Sequence, residues 1–434
     1  MKKVITYGTF DLFHLGHYNI LKRAKEYGDY LIVGVTSESY DIERGKLSVK
    51  DSLTTRIQNV MNTGFADEVI IEEYLGQKIR DIIKYDIDVI VIGADWKGKF
   101  DHLRQYCEVV YLERTKNISS TQIREEKSNI YNFGVITDTL DDRDLLDEIK
   151  YVSGLHVESV FANDASISEE FCEKYQINKH FTQCDEFLDS VDIVLINLDV
   201  EDRYSYIKKS LEKGKHVISA SPIALSVDEH KELFEIAEKN KVILMENIVT
   251  VYLRAFMQIL WMANGDTLGK ILNVKCAISL ENFEPQKSFY EALVLGVVMI
   301  IKLLGQDSEC VHVTHYQNDA HYLHVLFKNQ DSIGTIEITN NIELKNELVI
   351  VGEKGTIVVE DDWWNTGYFE FKKISKKFDK RYSYNFDGNG FRYVLQELLI
   401  MLSDNRIEST RFFKDESEIL IQLLEKMNIK GLDD

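Results

Sequence analysis

Three runs near the start of the chain, "KVITYG", "YLIVGVTS" and "DVIVIGADW", are apolar and β-branched at consecutive positions rather than at alternate ones. A strand with one wet face alternates in polarity. A strand covered on both faces does not, and such strands belong to parallel sheets whose crossovers are helices. Between the first two runs, "HYNILKRAKEYG" has helical periodicity and a glycine stop at Gly28, so it predicts one of those crossovers. Residues 1–126 are therefore expected to form an α/β layer, with a ligand at the carboxyl ends of the strands, near the turns after Gly8, Ser37 and Gly93.

The pattern restarts after the polar segment "REEKSNI". "YNFGVIT", "VESVFAND", "VDIVLINLD", "KHVISASP" and "VILMEN" predict a second α/β region that runs to about Asn247. Beyond it, "LNVKCAISLE", "ECVHVTHYQ", "YLHVLFKN", "GTIEITNN", "ELVIVGEKG" and "GTIVVEDD" predict a mostly antiparallel sheet. One apolar helix, "YEALVLGVVMIIKLLG", accompanies that sheet, and "FRYVLQELLIMLSD" and "ESEILIQLLEKMN" close it. With 434 residues the chain exceeds one ordinary domain. The expected boundaries are 1–128, 129–247 and 248–434, in an α/β, α/β, α+β order.

Charge excludes one class of partner. The formal net charge is −21, which argues against nucleic-acid binding through a broad basic face. The acidity is uneven, because residues 1–126 carry 18 Lys and Arg against 20 Asp and Glu. A local anion pocket is therefore compatible with the first region. Five scattered cysteines without a C-x-x-C pair suggest neither a disulfide framework nor a zinc knuckle. No run is long enough to span a membrane, and Asp11 falls too early for a secretory apolar segment, so a cytoplasmic protein with no membrane partner is expected.

The stretch "GTFDLFHLGH" follows the first predicted strand and places His14 and His17 three apart where a helix should begin. A zinc centre needs three or four ligands, and the nearby sequence adds only Asp11. Two core histidines would be the plain alternative. A phosphate cradle accounts for more of the pattern: Gly8 and Gly16 permit close backbone approach, a helix start offers N–H groups and partial positive charge, and imidazoles donate to phosphate oxygens. A bound anion would favour the imidazolium form.

"TYGTFDLFHLGH", joined to "DWKGKFD" and "RTKNISST", resembles the signature of the nucleotidylyltransferase superfamily and, within it, the glycerol-3-phosphate cytidylyltransferases. The resemblance implies attack by the phosphate of a small polyol phosphate on the α-phosphorus of CTP, with diphosphate as leaving group and Mg²⁺ accompanying the nucleotide. It implies catalytic roles for His14, His17, Lys46 and Arg114. Gly8, Thr9, Phe10, Asp11, Gly16, Gly93, Asp95, Trp96, Thr115, Ile118, Ser119, Ser120 and Thr121 would complete the CTP site, and Arg44, Arg56 and Lys78 would bind the acceptor phosphate. No resident metal ligand is assigned, although Asp11 is a candidate contact for the nucleotide's Mg²⁺. The sequence departs from the family at Ala94, where a carboxylate is usual, at Leu75, where an aromatic residue is expected, and at Arg44, where relatives carry lysine.

The order of elements from about residue 130 resembles the glucose-fructose oxidoreductase and inositol dehydrogenase superfamily, whose first domain is Rossmann-like. Its working positions are altered. Thr137 and Thr139 stand where the first two loop glycines belong, Ala220-Ser221-Pro222 where Glu-Lys-Pro belongs, and Val294 and Val298 near the acid/base positions. Hydride transfer needs a proton donor or acceptor beside the carbonyl, so the expectation is a retained fold without NAD(P). The cluster His312, His315, His321 and His324 follows strand alternation, and Trp363 with Trp364 is expected to offer a partner or ligand surface. Self-association as a dimer or higher homo-oligomer is expected.

Three functions follow as expectations. The first is a cytidylyltransferase making CDP-glycerol, or a close analogue, for teichoic acid or capsule-type polymers. The second is a bifunctional enzyme whose later half reduces a keto-phosphate precursor. The third is a non-catalytic sensor of cytidine nucleotides.

Overall fold

The computed structural model describes residues 1–43, 49–74, 76–113, 130–139, 143–152, 154–177, 179–280, 289–317, 321–373, 379–384 and 388–427, with backbone alone at Glu43, Asp95, Arg143 and Asp144. The chain divides into two compact units, residues 1–130 with 151–154, and residues 131–150 with 155–434.

The first unit runs β1 (Lys3–Gly8), α1 (Leu15–Lys25), β2 (Tyr30–Thr36), α2 (Glu38–Glu43), α3 (Leu53–Met61), β3 (Glu68–Glu72), α4 (Gln77–Tyr85), β4 (Val89–Gly93) and β5 (Glu108–Leu112). Its sheet has the order β3-β2-β1-β4-β5, with every pairing parallel. The consecutive apolar runs are explained by two cores. Val4, Leu31, Val33, Val89 and Val91 pack on one face, with Leu21 and Ala24 of α1. Ile5, Ile32, Ile90 and Ile92 pack on the other, with Ile82 of α4. Each such side chain stabilises by roughly 1.5–3 kcal/mol when fully buried. Gly28 is not the helix stop: α1 ends at Lys25 with Glu26 as its cap. A Cβ at Gly28 would lie 2.5 Å from the carbonyl oxygen of Lys2, so the glycine lets the chain pass close under the first strand.

The second unit begins with β6 (Tyr131–Thr137), α5 (Arg143–Ile149), β7 (Leu155–Phe161), α6 (Ala165–Tyr175), β8 (Lys179–Phe181), α7 (Cys184–Ser190), β9 (Ile193–Asn197), α8 (Val200–Glu212), β10 (His216–Ser219), α9 (Val227–Asn240) and β11 (Leu244–Glu246). These strands form a second all-parallel sheet, β11-β10-β9-β6-β7-β8. Both parallel sheets thus reverse strand order beside their first strand, which opens a crevice at β1/β4 in one and at β6/β9 in the other.

The remainder runs α10 (Arg254–Asn264), β12 (Ile271–Ser279), α11 (Phe289–Leu304), β13 (Glu309–Gln317), β14 (His321–Asn329), β15 (Ser332–Asn340), β16 (Glu347–Gly352), β17 (Gly355–Glu360), β18 (Tyr368–Lys373), β19 (Lys380–Ser383), α12 (Phe391–Asp404) and α13 (Lys414–Met427). Its eight strands are ordered β13-β14-β15-β12-β16-β17-β18-β19, and only β12 and β15 pair parallel. The apolar helix α11 lies close on this sheet, where a Cβ at Gly296 would meet Ile336 at 2.9 Å.

Two long-range links tie this part to the second parallel sheet. Ile421 of α13 joins the core formed by Val194, Ile196 and Leu233. Arg392 of α12 donates from Nε and Nη2 to the Glu148 carboxylate of α5 at 2.6 and 2.8 Å, both side chains being about 5% exposed.

Two expectations are corrected or clarified here. Trp363 is no surface residue: it is buried, and its indole N–H donates to the carbonyl oxygen of Ala277 at 3.0 Å. The histidines of β13 and β14 follow their strands, with Thr314 opposite His324 and His315 opposite Leu323. Among the described residues no group of three or more His, Cys, Asp or Glu could hold a metal.

Candidate active site

The carboxyl end of β1 leads into a tightly held loop. A Cβ at Gly8 would lie 3.0 Å from the Phe10 ring, which folds back over it. Phe10 and Leu12 have φ of 56° and 48°, a left-handed backbone that costs an L-residue roughly 1–2 kcal/mol. Reciprocal bonds hold it there. Asp11 Oδ1 accepts from the N–H groups of Lys50 (2.9 Å) and Asp51 (2.8 Å), and Asp51 Oδ2 accepts from the N–H of Leu12 (2.9 Å). Asp11 is therefore buried as a clamp between two loops. A hard cation with few protein ligands would be held chiefly by nucleotide phosphates.

His14 caps α1. Its Nδ1 accepts from the N–H groups of Gly16 (3.0 Å) and His17 (3.4 Å). Two of the helix-start donors expected to face a phosphate are thus engaged by His14 itself. An accepting Nδ1 also fixes the neutral tautomer with hydrogen on Nε2, so in this geometry His14 is an Nε2–H donor rather than an imidazolium. The rings of His14 and His17 stack at 3.9 Å and 18°, and Phe10 and Phe13 flank His17 at 5.4 and 5.5 Å. The pair forms one aromatic-walled unit at the strand end.

Across the crevice, Gly93 ends β4. Among the described residues the nearest atom to a Cβ there would be Ile20 Cδ1 at 4.0 Å, so no described neighbour requires glycine, and the space suits close approach of a ligand. Trp96 follows on a short 3₁₀ turn, 43% exposed, with Lys99 Nζ 5.2 Å from its ring centroid.

The two described acceptor-site candidates are not solvated charges. Arg56 is fully buried: Nη1 donates to the carbonyl oxygens of Thr9 (3.0 Å) and Thr36 (2.9 Å) and to Asp41 Oδ2 (3.1 Å), and Nε donates to the carbonyl oxygen of Asp51 (3.1 Å). Lys78 pairs with Glu72 and lies 4.5 Å from the Tyr7 ring centroid. Tyr7 in turn donates to Asp81 Oδ2 at 3.0 Å, and burial, with Asp81 second, pushes its phenol well up. Asp41, Asp51, Thr36, Glu72 and Asp81 were not singled out in the sequence. Each reads there as an ordinary polar residue on a helix or at a strand end. Arg44, Lys46, Leu75, Arg114, Thr115, Ile118, Ser119, Ser120 and Thr121 lie outside the described residues, as does the side chain of Asp95.

The second crevice has different chemistry. Thr137 is buried, and its Oγ1 accepts from the Thr139 N–H at 3.2 Å, so the turn after β6 is closed on itself. Burial and then the nearby Asp199 push the Asp138 carboxyl up, with a smaller contribution from Asp202. Ser221 donates to Glu246, a carboxyl that burial also pushes up. Val294 and Val298 are core residues of α11. A dinucleotide pyrophosphate needs close glycine backbone and a favourable charge, and the described residues here supply neither.

Residues 5–126 match the family described as cytidylyltransferase-like. Through this segment the chain belongs to that family and is a nucleotidyltransferase enzyme. The glycerol-3-phosphate cytidylyltransferase of Bacillus spizizenii is 52% identical over 130 residues, which are 30% of this chain and all of that protein. That of Staphylococcus aureus is 47% identical over 126 residues, 29% of this chain and 95% of that protein. Residues 139–248 match the oxidoreductase family with an NAD-binding Rossmann fold, so the chain joins a second, oxidoreductase-type domain to the first. A 3-ketoreductase from Actinomadura kijaniata, crystallised with NADP and TDP-benzene, has the same fold over 68% of this chain and 96% of its own, with a TM-score of 0.60 and 16% identity. A dehydrogenase from Clostridium difficile gives a TM-score of 0.57 at 15% identity, over 69% of this chain and 98% of its own. Likenesses of this kind show the fold of the later half.

Proposed function

We propose that the first unit transfers the cytidylyl group of CTP to glycerol 3-phosphate or a close polyol phosphate. A phosphate oxygen of the acceptor forms a bond to the α-phosphorus, the bond to the bridging oxygen breaks, and diphosphate leaves. The observation that carries this reading is the stacked His14–His17 pair at the start of α1, which His14 caps, at the β1/β4 crevice that Gly93 also borders. No covalent intermediate is needed, and the barrier is one of charge. Two unit charges about 4 Å apart repel by about 4 kcal/mol at an intermediate dielectric, so catalysis rests on positioning and electrostatic stabilisation.

In this reading the Nε2–H of His14 donates to a nucleotide phosphate, and His17 stabilises charge on the departing diphosphate. Lys46 and Arg114 are assigned to the phosphates by family resemblance, with Thr115 and Ser119 to Thr121 closing over them, and Arg44, Arg56 and Lys78 to the acceptor. Mg²⁺ supplies charge neutralisation when bound with CTP. The product would feed a phosphate-containing surface polymer such as teichoic acid or capsule, made from the cytoplasm by a dimer or higher oligomer, with domains at 1–128, 129–247 and 248–434.

The test is diphosphate release from CTP and Mg²⁺ by the full chain, with glycerol 3-phosphate, ribitol 5-phosphate, phosphocholine and glycerol 2-phosphate as parallel acceptors. Release that depends on glycerol 3-phosphate is the expected result. Absence of release with every acceptor would favour a nucleotide-sensing protein.

A second reading is favoured by the oxidoreductase-family match at residues 139–248: a bifunctional enzyme whose later half reduces a keto-phosphate precursor. Oxidation of NADPH with dihydroxyacetone phosphate would support it. Against it stand the self-closed turn at Thr137 and the carboxyls of Asp138 and Asp199.

A further inference from the structure

Beneath the loop that carries His14 lies a buried charge pair. Asp41, on α2, is 1% exposed and Arg56, on α3, not at all. Asp41 accepts from Thr36 Oγ1, at 2.7 Å to each carboxylate oxygen, and from Thr9 Oγ1 at 3.0 Å. Arg56 reaches the same Thr9 through its carbonyl oxygen and Asp41 through its carboxylate. The other described partners of the guanidinium are neutral carbonyl groups, of Thr36 and Asp51. Its remaining nitrogen, Nη2, is buried with no partner among the described residues. A buried donor without an acceptor is costly, and a guanidinium kept in that state needs a reason.

Carbonyl groups alone would orient this arginine. A carboxylate does something further, since it cancels a cation seated under the loop that leads to the histidines. A unit charge about 10 Å from a phosphate at an intermediate dielectric changes its binding by roughly ten-fold. We infer that Asp41 is a positioning residue that acts through Arg56: it fixes the guanidinium under Thr9 and, by neutralising it, sets how tightly the crevice holds phosphate anions. Neutralisation keeps diphosphate from being retained as a product.

This inference rests on the proposed phosphate site, but its test does not require turnover. Titration calorimetry with inorganic diphosphate is run on the full chain and on D41N, R56Q and the D41N/R56Q double variant, with melting temperatures recorded in parallel. D41N is expected to bind diphosphate about ten-fold tighter and R56Q about ten-fold weaker, with the double variant returning to within two-fold of the parent. Breaking a buried pair on one side destabilises more than removing both partners. Should D41N not fold, R56Q and the double variant carry the test, because recovery of binding in the double requires the Asp41 charge to matter. The inference is overturned if D41N lowers the melting temperature without changing diphosphate affinity, if the double stays as weak as R56Q, or if the parent binds no diphosphate. Failure of the functional reading is seen separately, as a parent chain that binds diphosphate and releases none from CTP.

Discussion

The crevices at β1/β4 and at β6/β9 occupy equivalent places in two parallel sheets that reverse strand order in the same way. After β1 the chain presents Gly8, a strained loop and two stacked imidazoles; after β6 it presents Thr137 bonded to its own turn and Asp138 near Asp199. The same topology thus carries paired imidazoles at one switch point and neighbouring carboxylates at the other. Strand order determines where a ligand can lie, and the few residues after the first strand determine what it can be.

The contrast breaks most visibly if the histidines are dispensable. His17→Ala is expected to lower turnover by on the order of 10²–10³, with the melting temperature shifted by only a few degrees, as read by diphosphate release and thermal unfolding. A core role for His17 would give the reverse pattern.

Arg392→Met strands Glu148 in the second unit without its counter-charge, and is expected to cost about 3 kcal/mol or more. Urea unfolding of that unit should move to lower denaturant, while diphosphate release by the first unit is retained. A matching loss of turnover would show that the units are energetically coupled.

A smaller effect concerns acid. Burial, then Lys414 and Lys231, depress His230 from the ordinary 6.5 to about 4. Between those values the unfolded chain takes up a proton that the folded chain does not. Stability from keeping His230 neutral is therefore complete above about pH 6.5 and declines as pH falls toward 4, by up to about 3 kcal/mol. Melting temperature against pH measures this decline, and His230→Gln should flatten it.

The smallest expected effect is none. A dinucleotide that bound would stabilise by about 2.7 kcal/mol at 100 times its dissociation constant; the turn at Thr137 and the Asp138 carboxyl predict no binding, so millimolar NADPH should leave the melting of the second unit unchanged. An upward shift would show that the β6/β9 crevice admits a dinucleotide despite its closed turn.

Much of the architecture was legible because burial on two faces leaves a trace in one dimension. Val4 beside Ile5, and Val89 beside Ile90, can alternate between two cores only in a covered parallel strand. His14 and His17 were legible as a pair, but the capping role of His14 was not, since histidine is not among the usual N-cap residues. Arg56 was legible as a candidate phosphate-binding charge, but its pairing with Asp41 was not, because only the packing of α2 and α3 against the ends of β1 and β2 takes the two out of water. Trp363 misled for the same reason, as a tryptophan in a polar segment whose indole finds a partner 86 positions away in sequence.

The return of α13 to the second parallel sheet bears on how the protein is made. Ile421 completes a core that begins at Ile136, so that core stays open until nearly 300 further residues have been added. At roughly 5–20 residues per second that is about 15–60 s on the ribosome. A segment of 130 residues matches the full length of the Bacillus relative, and the described members of the first unit's two cores lie between Val4 and Leu112. During that interval the nascent chain would hold a finished first unit while the apolar flank of α9 still awaits the last helix, and that flank is where a chaperone would be needed.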